Sequence, residues 1–280
     1  MSIVLALSLL DLASSPLLAA QAKRPPSHVE AALLSEYDSI QPGRPFTLGV
    51  RLRMKDGWHT YWRNPGDTGM PTAILWRLPQ GFRAGELQWP APRRFVKPRS
   101  VSYDYPDEAL LLTEISAPRG LSERSPAELA ATVSWLECKE ICLPGQARLS
   151  LKLPVRSAPP GRAQATAKVF AEARRRLPKG LGSGFSARAI RQGDRIVLTL
   201  ESPGPLDAAG AAFFPYDDGV IEHDQPQTAR AAGRSLTLGL VPSRAPDSEK
   251  TRRLAGVVTF AEEDQAIELS VPIETPIKGR

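Results

Sequence analysis

Apolar and polar residues alternate along much of this chain. Phe46, Leu48, Val50, Leu52 and Met54 are separated by polar or small residues, as are Ala147, Leu149, Leu151 and Leu153. The same spacing returns at Ile196, Leu198 and Leu200, at Leu236, Leu238 and Leu240, and at Ile267, Leu269, Val271 and Ile273. A period of two marks a strand with one face on a core and the other toward water. Strands of this kind, spaced by Pro/Gly turns with few helices between them, predict antiparallel sandwiches.

One stretch departs from that period. Residues 163–177, AQATAKVFAEARRRL, are rich in Ala, Glu and Arg, which favour helix. Pro159, Pro160 and Gly161 precede the stretch; Pro178 and Gly180 follow it. The pattern predicts an all-β protein of two β-sandwich domains joined by a short helical linker, with a first domain over 23–157, a linker over 158–181 and a second domain over 182–280. Trp58, Trp62, Trp76, Trp89 and Trp135 and both cysteines fall in the first half, and the second half has none of either. The chemistry is therefore expected in the first domain.

With 280 residues, 42% hydrophobic and 24% charged, the chain can bury two cores and is too apolar for disorder. Its 27 prolines favour turns and edge strands over helix interiors. The net charge of +6 comes from scattered residues, and no recognition motif accompanies it, so no nucleic-acid partner is expected. Past the N-terminus no apolar run approaches the roughly 18 residues that span a bilayer. Residues 1–22 read MSIVLALSLLDLASSPLLAAQA, an apolar stretch closing on the small-residue site Ala20-Gln21-Ala22. That is the pattern of an export signal, with a buried N-terminal helix as the alternative. Export would place the cysteines in a compartment where disulfides form.

Cys138 and Cys142 lie in Trp135-Leu136-Glu137-Cys138-Lys139-Glu140-Ile141-Cys142-Leu143-Pro144-Gly145. A β-like run precedes the pair and an alternating strand follows it, so a hairpin with a three-residue connection is predicted. Cysteines flanking such a loop face each other within the Cα separation that a disulfide needs. Three roles compete. A structural staple closing five residues is worth only about 2 kcal/mol. A structural zinc site wants four ligands, whereas His28, His59 and His223 are dispersed and no second cysteine pair exists. A redox dithiol exchanges through a mixed disulfide and needs a thiolate, which Lys139 favours and Glu137 and Glu140 oppose.

Three other motifs read as structure. Gly57-Trp58-His59-Thr60-Tyr61-Trp62-Arg63-Asn64-Pro65-Gly66-Asp67-Thr68-Gly69 is an aromatic strand leading into a turn. Its single Asp-Thr-Gly lacks the second carboxylate that aspartic-protease chemistry requires. Gly180-Leu181-Gly182-Ser183-Gly184 follows a helix and precedes a strand, the reverse of a dinucleotide loop. No nucleophile elbow occurs.

The runs GWHTYWRNPGDTGMP, Trp89-Pro90-Ala91-Pro92, Tyr103-Asp104-Tyr105 and WLECKEICLPG together resemble the periplasmic N-terminal domain of the DsbD/ScsB thiol:disulfide interchange proteins. Phe213-Phe214-Pro215-Tyr216 and Gln225-Pro226-Gln227 resemble the further β domain of the ScsB-like branch. The resemblance implies immunoglobulin-like sandwiches, a redox pair Cys138–Cys142 in which Cys142 bonds the partner, and a cap over residues 101–107 in which Tyr103 or Tyr105 shields the sulfurs. It also implies a periplasmic location, electrons received from a membrane-embedded donor of the DsbD/ScsB type, and thioredoxin-fold periplasmic proteins as partners. The chain shows neither a membrane domain nor a thioredoxin module, so either it is a free-standing homologue or its donor is a separate protein. No cofactor is expected, because the electrons travel as thiols. The expectation is a protein-disulfide reductase module. Two alternatives stand beside it: a non-catalytic protein-binding module with a structural disulfide, and a copper-handling protein.

Overall fold

The computed structural model describes residues 27–98, 100–244, 252–261 and 265–275; the predicted export segment 1–22 lies outside them. In chain order the strands are β1 (Val29–Ser35), β2 (Phe46–Met54), β3 (His59–Gly66), β4 (Ala73–Arg77), β5 (Arg83–Gln88), β6 (Arg93–Lys97), β7 (Ser100–Pro106), β8 (Glu108–Ser116), β9 (Ala127–Cys138) and β10 (Cys142–Leu153). The helix α1 (Gln164–Arg176) follows. Then come β11 (Lys179–Gly180), β12 (Ser186–Gln192), β13 (Arg195–Glu201), β14 (Ala212–Pro215), β15 (Thr228–Ala232), β16 (Ser235–Leu240), β17 (Arg253–Thr259) and β18 (Ala266–Glu274). Among the described residues no helix is long and apolar enough to cross a membrane.

Two sheets form the first half. One runs β1-β2-β8-β5; the other runs β10-β9-β3-β7-β6, with β4 paired to β9. Between them lie the alternating residues read from the sequence, Leu48, Val50 and Leu52 of β2 against Leu129, Ala131 and Val133 of β9. In β8 the run Ala109-Leu110-Leu111-Leu112 is buried on both faces. Ala109 and Leu111 point into the sandwich, whereas Leu110 and Leu112 meet Phe170 and Ala173 of α1 on the outside. A continuous apolar run is what a strand covered on both sides requires.

The helix is thus more than a connection: it is docked on the outer face of the four-stranded sheet. Gly49 of β2 lets it approach, since a Cβ there would stand 3.2 Å from the Phe170 ring. At its ends the helix is held by Glu36, which is buried and bonded to Arg162 and Arg174. Arg174 grips the carboxylate with two donors, Nε at 3.1 Å and Nη2 at 2.5 Å, and Nη2 also donates to Thr47 Oγ1. Burial pushes the Glu36 carboxyl up, but the arginine bonds outweigh it and hold its pKa below the ordinary range.

The second half is one hydrogen-bonded path, β14-β17-β18-β12-β13-β16-β15, with β11 beside β18. Its turning point is a two-rung parallel contact, Ala189↔Ile273 and Ile190↔Glu274, around which the sheet folds over its own core of Leu198, Leu236, Leu238 and Leu254. The two halves share apolar packing: Trp62 and Tyr103 contact Phe214, and Arg63 lies over the Tyr216 ring at 4.1 Å. Asn64 Nδ2 donates across the junction to the carbonyls of Pro215 and Asp217.

Candidate functional site

The hairpin predicted around the cysteines is β9–β10. Its twelve rungs run from Ala127↔Leu153 to Cys138↔Cys142. The last rung is closed by a disulfide with Cα atoms 4.2 Å apart. That separation is close to the narrow, non-hydrogen-bonded rung of an antiparallel ladder, about 4.5 Å, where side chains approach most closely. The register, set by alternating Leu and Ala residues along both strands, brings the two sulfurs together. The bond is asymmetric: Cys138 is 1% exposed, whereas Cys142 is open to solvent beside Ile141, an apolar residue 63% exposed at the tip.

Strand pairing then assembles a face around the buried sulfur. His59 of β3 stands directly across from Cys138, and Tyr61 stands across from Asp104 of β7. Asp104 and Ser102 are in turn opposite Arg93 and Phe95 of β6. Opposed residues of an antiparallel pair share a face, and so do residues two apart along a strand. Cys138, His59, Tyr61, Asp104, Ser102, Phe95 and Lys97 therefore belong to one surface of the sheet. The contacts agree with this. The Tyr61 hydroxyl points at Cys142 Sγ from 3.9 Å, the His59 ring packs on Phe95 at 5.5 Å between centroids, and Lys97 Nζ donates to the Lys139 carbonyl at 3.4 Å.

This face carries perturbed acids. Burial, aided by Lys97, pushes the His59 imidazolium down to about 4. Burial also pushes Asp104 up to about 7, against hydrogen bonding from Ser102 and the charges of Lys97 and Arg93. Tyr61 is raised to about 12, by burial first and by Asp104 second. His59 Nε2 and Asp104 Oδ2 lie 3.8 Å apart.

Glu137, next to Cys138, points to the opposite side of β9 and is buried there. It accepts from Trp135 Nε1, Ser27 Oγ, the His28 backbone N–H and His28 Nδ1. Burial raises its pKa, and these donors more than reverse that, keeping it below the ordinary value. The opposition between Lys139 and Glu137 expected from the sequence is therefore softened, because the Glu137 charge is already met by four donors.

The Asn-Pro-Gly-Asp-Thr-Gly stretch is the support of Tyr61. Asp67 spends its carboxylate on the Val101 N–H at 2.7 Å, a backbone clasp rather than acid chemistry. Gly69, at φ +112°, lies flat against Tyr61, and a Cβ there would sit 2.3 Å from the ring. Gly69→Ala is accordingly expected to cost about 2 kcal/mol through backbone strain and overpacking, read as a shifted urea midpoint.

Tyr103 and Tyr105, the residues expected to shield the sulfurs, are turned into the interior. Tyr103 bonds its hydroxyl to His223 Nδ1 of the second half at 2.9 Å, and Tyr105 donates to the Pro90 carbonyl at 2.6 Å. Period two puts them on the side of β7 away from Asp104, so the groups on the disulfide face are His59, Tyr61 and Phe95. The only local signal for these was the spacing His59-x-Tyr61 and the position of Asp104 between two tyrosines.

Comparison with known proteins bears on the same segment. Residues 30–154 match the family described as thiol:disulfide interchange protein DsbD, N-terminal. No curated protein matches the chain. Among solved structures, the N-terminal periplasmic domain of ScsB from Proteus mirabilis superposes with a TM-score of 0.65 at 18% identity, covering 90% of this chain and 95% of that one. The major pilin subunit BcpA of Bacillus cereus aligns over 88% of this chain and 69% of its own at 8% identity, with a TM-score of 0.28 too low to argue from. Residues 30–154 thus match the DsbD N-terminal family, within a chain that shares the fold of the ScsB N-terminal periplasmic domain.

Proposed function

We propose that this chain is a periplasmic thiol–disulfide exchange module working through Cys138 and Cys142, with thioredoxin-fold proteins as its partners and a separate membrane protein of the DsbD/ScsB type as its electron donor. The observation that carries the reading is the asymmetric disulfide: one sulfur open at a hairpin tip, the other enclosed, in a domain of the DsbD N-terminal type.

The exchange balances without a cofactor. A donor thiolate attacks Cys142 Sγ, the S–S bond breaks, and Cys138 leaves as a thiolate. A second donor thiolate then attacks the donor's own sulfur in the mixed disulfide. This releases Cys142 and leaves the donor oxidised and this chain reduced by two electrons. Toward an oxidised partner the same steps run in reverse. Cys142 attacks the partner disulfide, one partner sulfur leaves, and Cys138 attacks Cys142 Sγ to release the other. The leaving Cys138 thiolate arises on the face that holds His59, its direct cross-strand neighbour, with Tyr61 and Asp104 further along.

The test is capture. With Cys138→Ala the second thiol is missing, so the mixed disulfide at Cys142 cannot resolve. Expressed in the periplasm, this variant is expected to accumulate a dithiothreitol-sensitive adduct with a thioredoxin-fold protein, seen on non-reducing gels and identified by mass spectrometry. Cys142→Ala should capture nothing. The absence of an adduct from both variants would overturn the reading.

A further inference from the structure

The second half of the chain reaches the disulfide from behind. Arg94 of β6 and Tyr103 of β7 form one rung of the β6–β7 hairpin, and both side chains end on a single residue of the second half. Arg94 Nη2 donates to the His223 carbonyl at 2.9 Å, and the Tyr103 hydroxyl meets His223 Nδ1 at 2.9 Å. His223 is itself buried and fixed by Asp218, whose Oδ1 lies 3.3 Å from Nε2. With Nε2–H directed to Asp218, Nδ1 is the acceptor and Tyr103 the donor.

The rungs on either side of this one, Arg93↔Asp104 and Phe95↔Ser102, carry their side chains to the opposite face. There Phe95 packs on His59, the cross-strand neighbour of Cys138, and Lys97 reaches the Lys139 carbonyl. One hairpin is therefore gripped on its back by the second half, and its front meets His59 and Lys139, the cross-strand and chain neighbours of the enclosed sulfur.

We propose that His223 is a positioning residue for the disulfide: through Arg94 and Tyr103 it holds Phe95 of the β6–β7 hairpin against His59, the cross-strand neighbour of Cys138, so that Cys138 stays enclosed and an incoming thiol or disulfide reacts at Cys142. This gives the second half a part in choosing which sulfur reacts. The proposal takes its purpose from the exchange reading, but its test needs no partner protein.

In the full chain, reduced with dithiothreitol and freed of it, each thiol is alkylated by iodoacetamide and its labelling followed by peptide mass spectrometry. His223→Ala is expected to raise the labelling rate of Cys138 about fivefold, as the loss of one ordinary hydrogen bond from the resting position would, and to leave Cys142 unchanged. His223→Gln, whose side-chain oxygen can still accept from Tyr103, should restore most of the difference. Leu198→Val, which loosens the core of the second half without touching the hairpin, should not reproduce it. Should His223→Ala fail to fold, Tyr103→Phe removes the same bond by deleting one oxygen and is read in the same way. An unchanged ratio of Cys138 to Cys142 labelling, or an equal rise in Leu198→Val, overturns the positioning role while leaving the mixed-disulfide experiment to judge exchange on its own.

Discussion

A His59→Gln variant is expected to lose about 4 kcal/mol of stability between pH 4 and pH 7, while the parent protein stays nearly flat over most of that range. In the native state Asp104 is raised to about 7, chiefly by burial; unfolded, it titrates at the ordinary carboxylate value of 3.8. A carboxyl whose folded pKa is raised contributes stability that is present below the unfolded value and lost as pH rises through the folded one. About three pKa units, at roughly 1.4 kcal/mol each, give about 4 kcal/mol.

His59 works the other way. Its folded pKa of about 4 lies below the unfolded 6.5, so its contribution is complete above 6.5 and lost as pH falls toward 4. Native and unfolded pairs each hold one proton over most of pH 4 to 6.5, and the two slopes cancel. The balance follows from two burial shifts of opposite sense, one raising Asp104 and the other lowering His59. Asp104→Asn should expose the opposite slope, a gain of about 3 kcal/mol from pH 4 to 6.5. Urea titrations across this range decide the matter: parallel pH profiles for parent and both variants would mean that burial shifts neither group.

This pair shows where sequence reading stops. Alternation was enough to find β2, β13, β16 and β18, because each buries one face along its own length. Helix propensity placed α1 to within a residue of Gln164–Arg176, yet its role changed from linker to cover. Its docking was written in the unbroken Ala109-Leu110-Leu111-Leu112, which asks for two covered faces. The cysteine rung was legible because a three-residue connection leaves hairpin register little freedom.

The rest of the site depends on pairings between distant segments. Tyr61↔Asp104 and His59↔Cys138 join strands far apart in sequence, and the register of β3 on β7 shifts between Tyr61 and Gly66. No local period announces such a contact. Tyr103 and Tyr105 are expected as the shield because the family resemblance implies an aromatic-bearing cap over 101–107, but the pleat turns those rings to the other side. The Tyr103–His223 bond, 120 residues apart in sequence, has no local signal at all.

Reduced protein exposed to limiting iodoacetamide is expected to label Cys142 about a hundredfold faster than Cys138. Both thiols sit on one rung, so backbone flexibility is common to them and the difference lies in access. Cys142 opens directly to solvent, whereas Cys138, at 1% exposure beside His59, reacts only when the surrounding structure opens. An opening that costs about 3 kcal/mol slows a reagent by about two powers of ten. In the proposed exchange the same asymmetry orders the chemistry: the accessible sulfur meets the partner and the enclosed one resolves the bond. Cys142→Ala should then remove exchange entirely, and Cys138→Ala should keep the first half-reaction. Equal labelling of the two thiols in a folded protein would take away the physical basis for that division of labour, since two equally open sulfurs would react in either order.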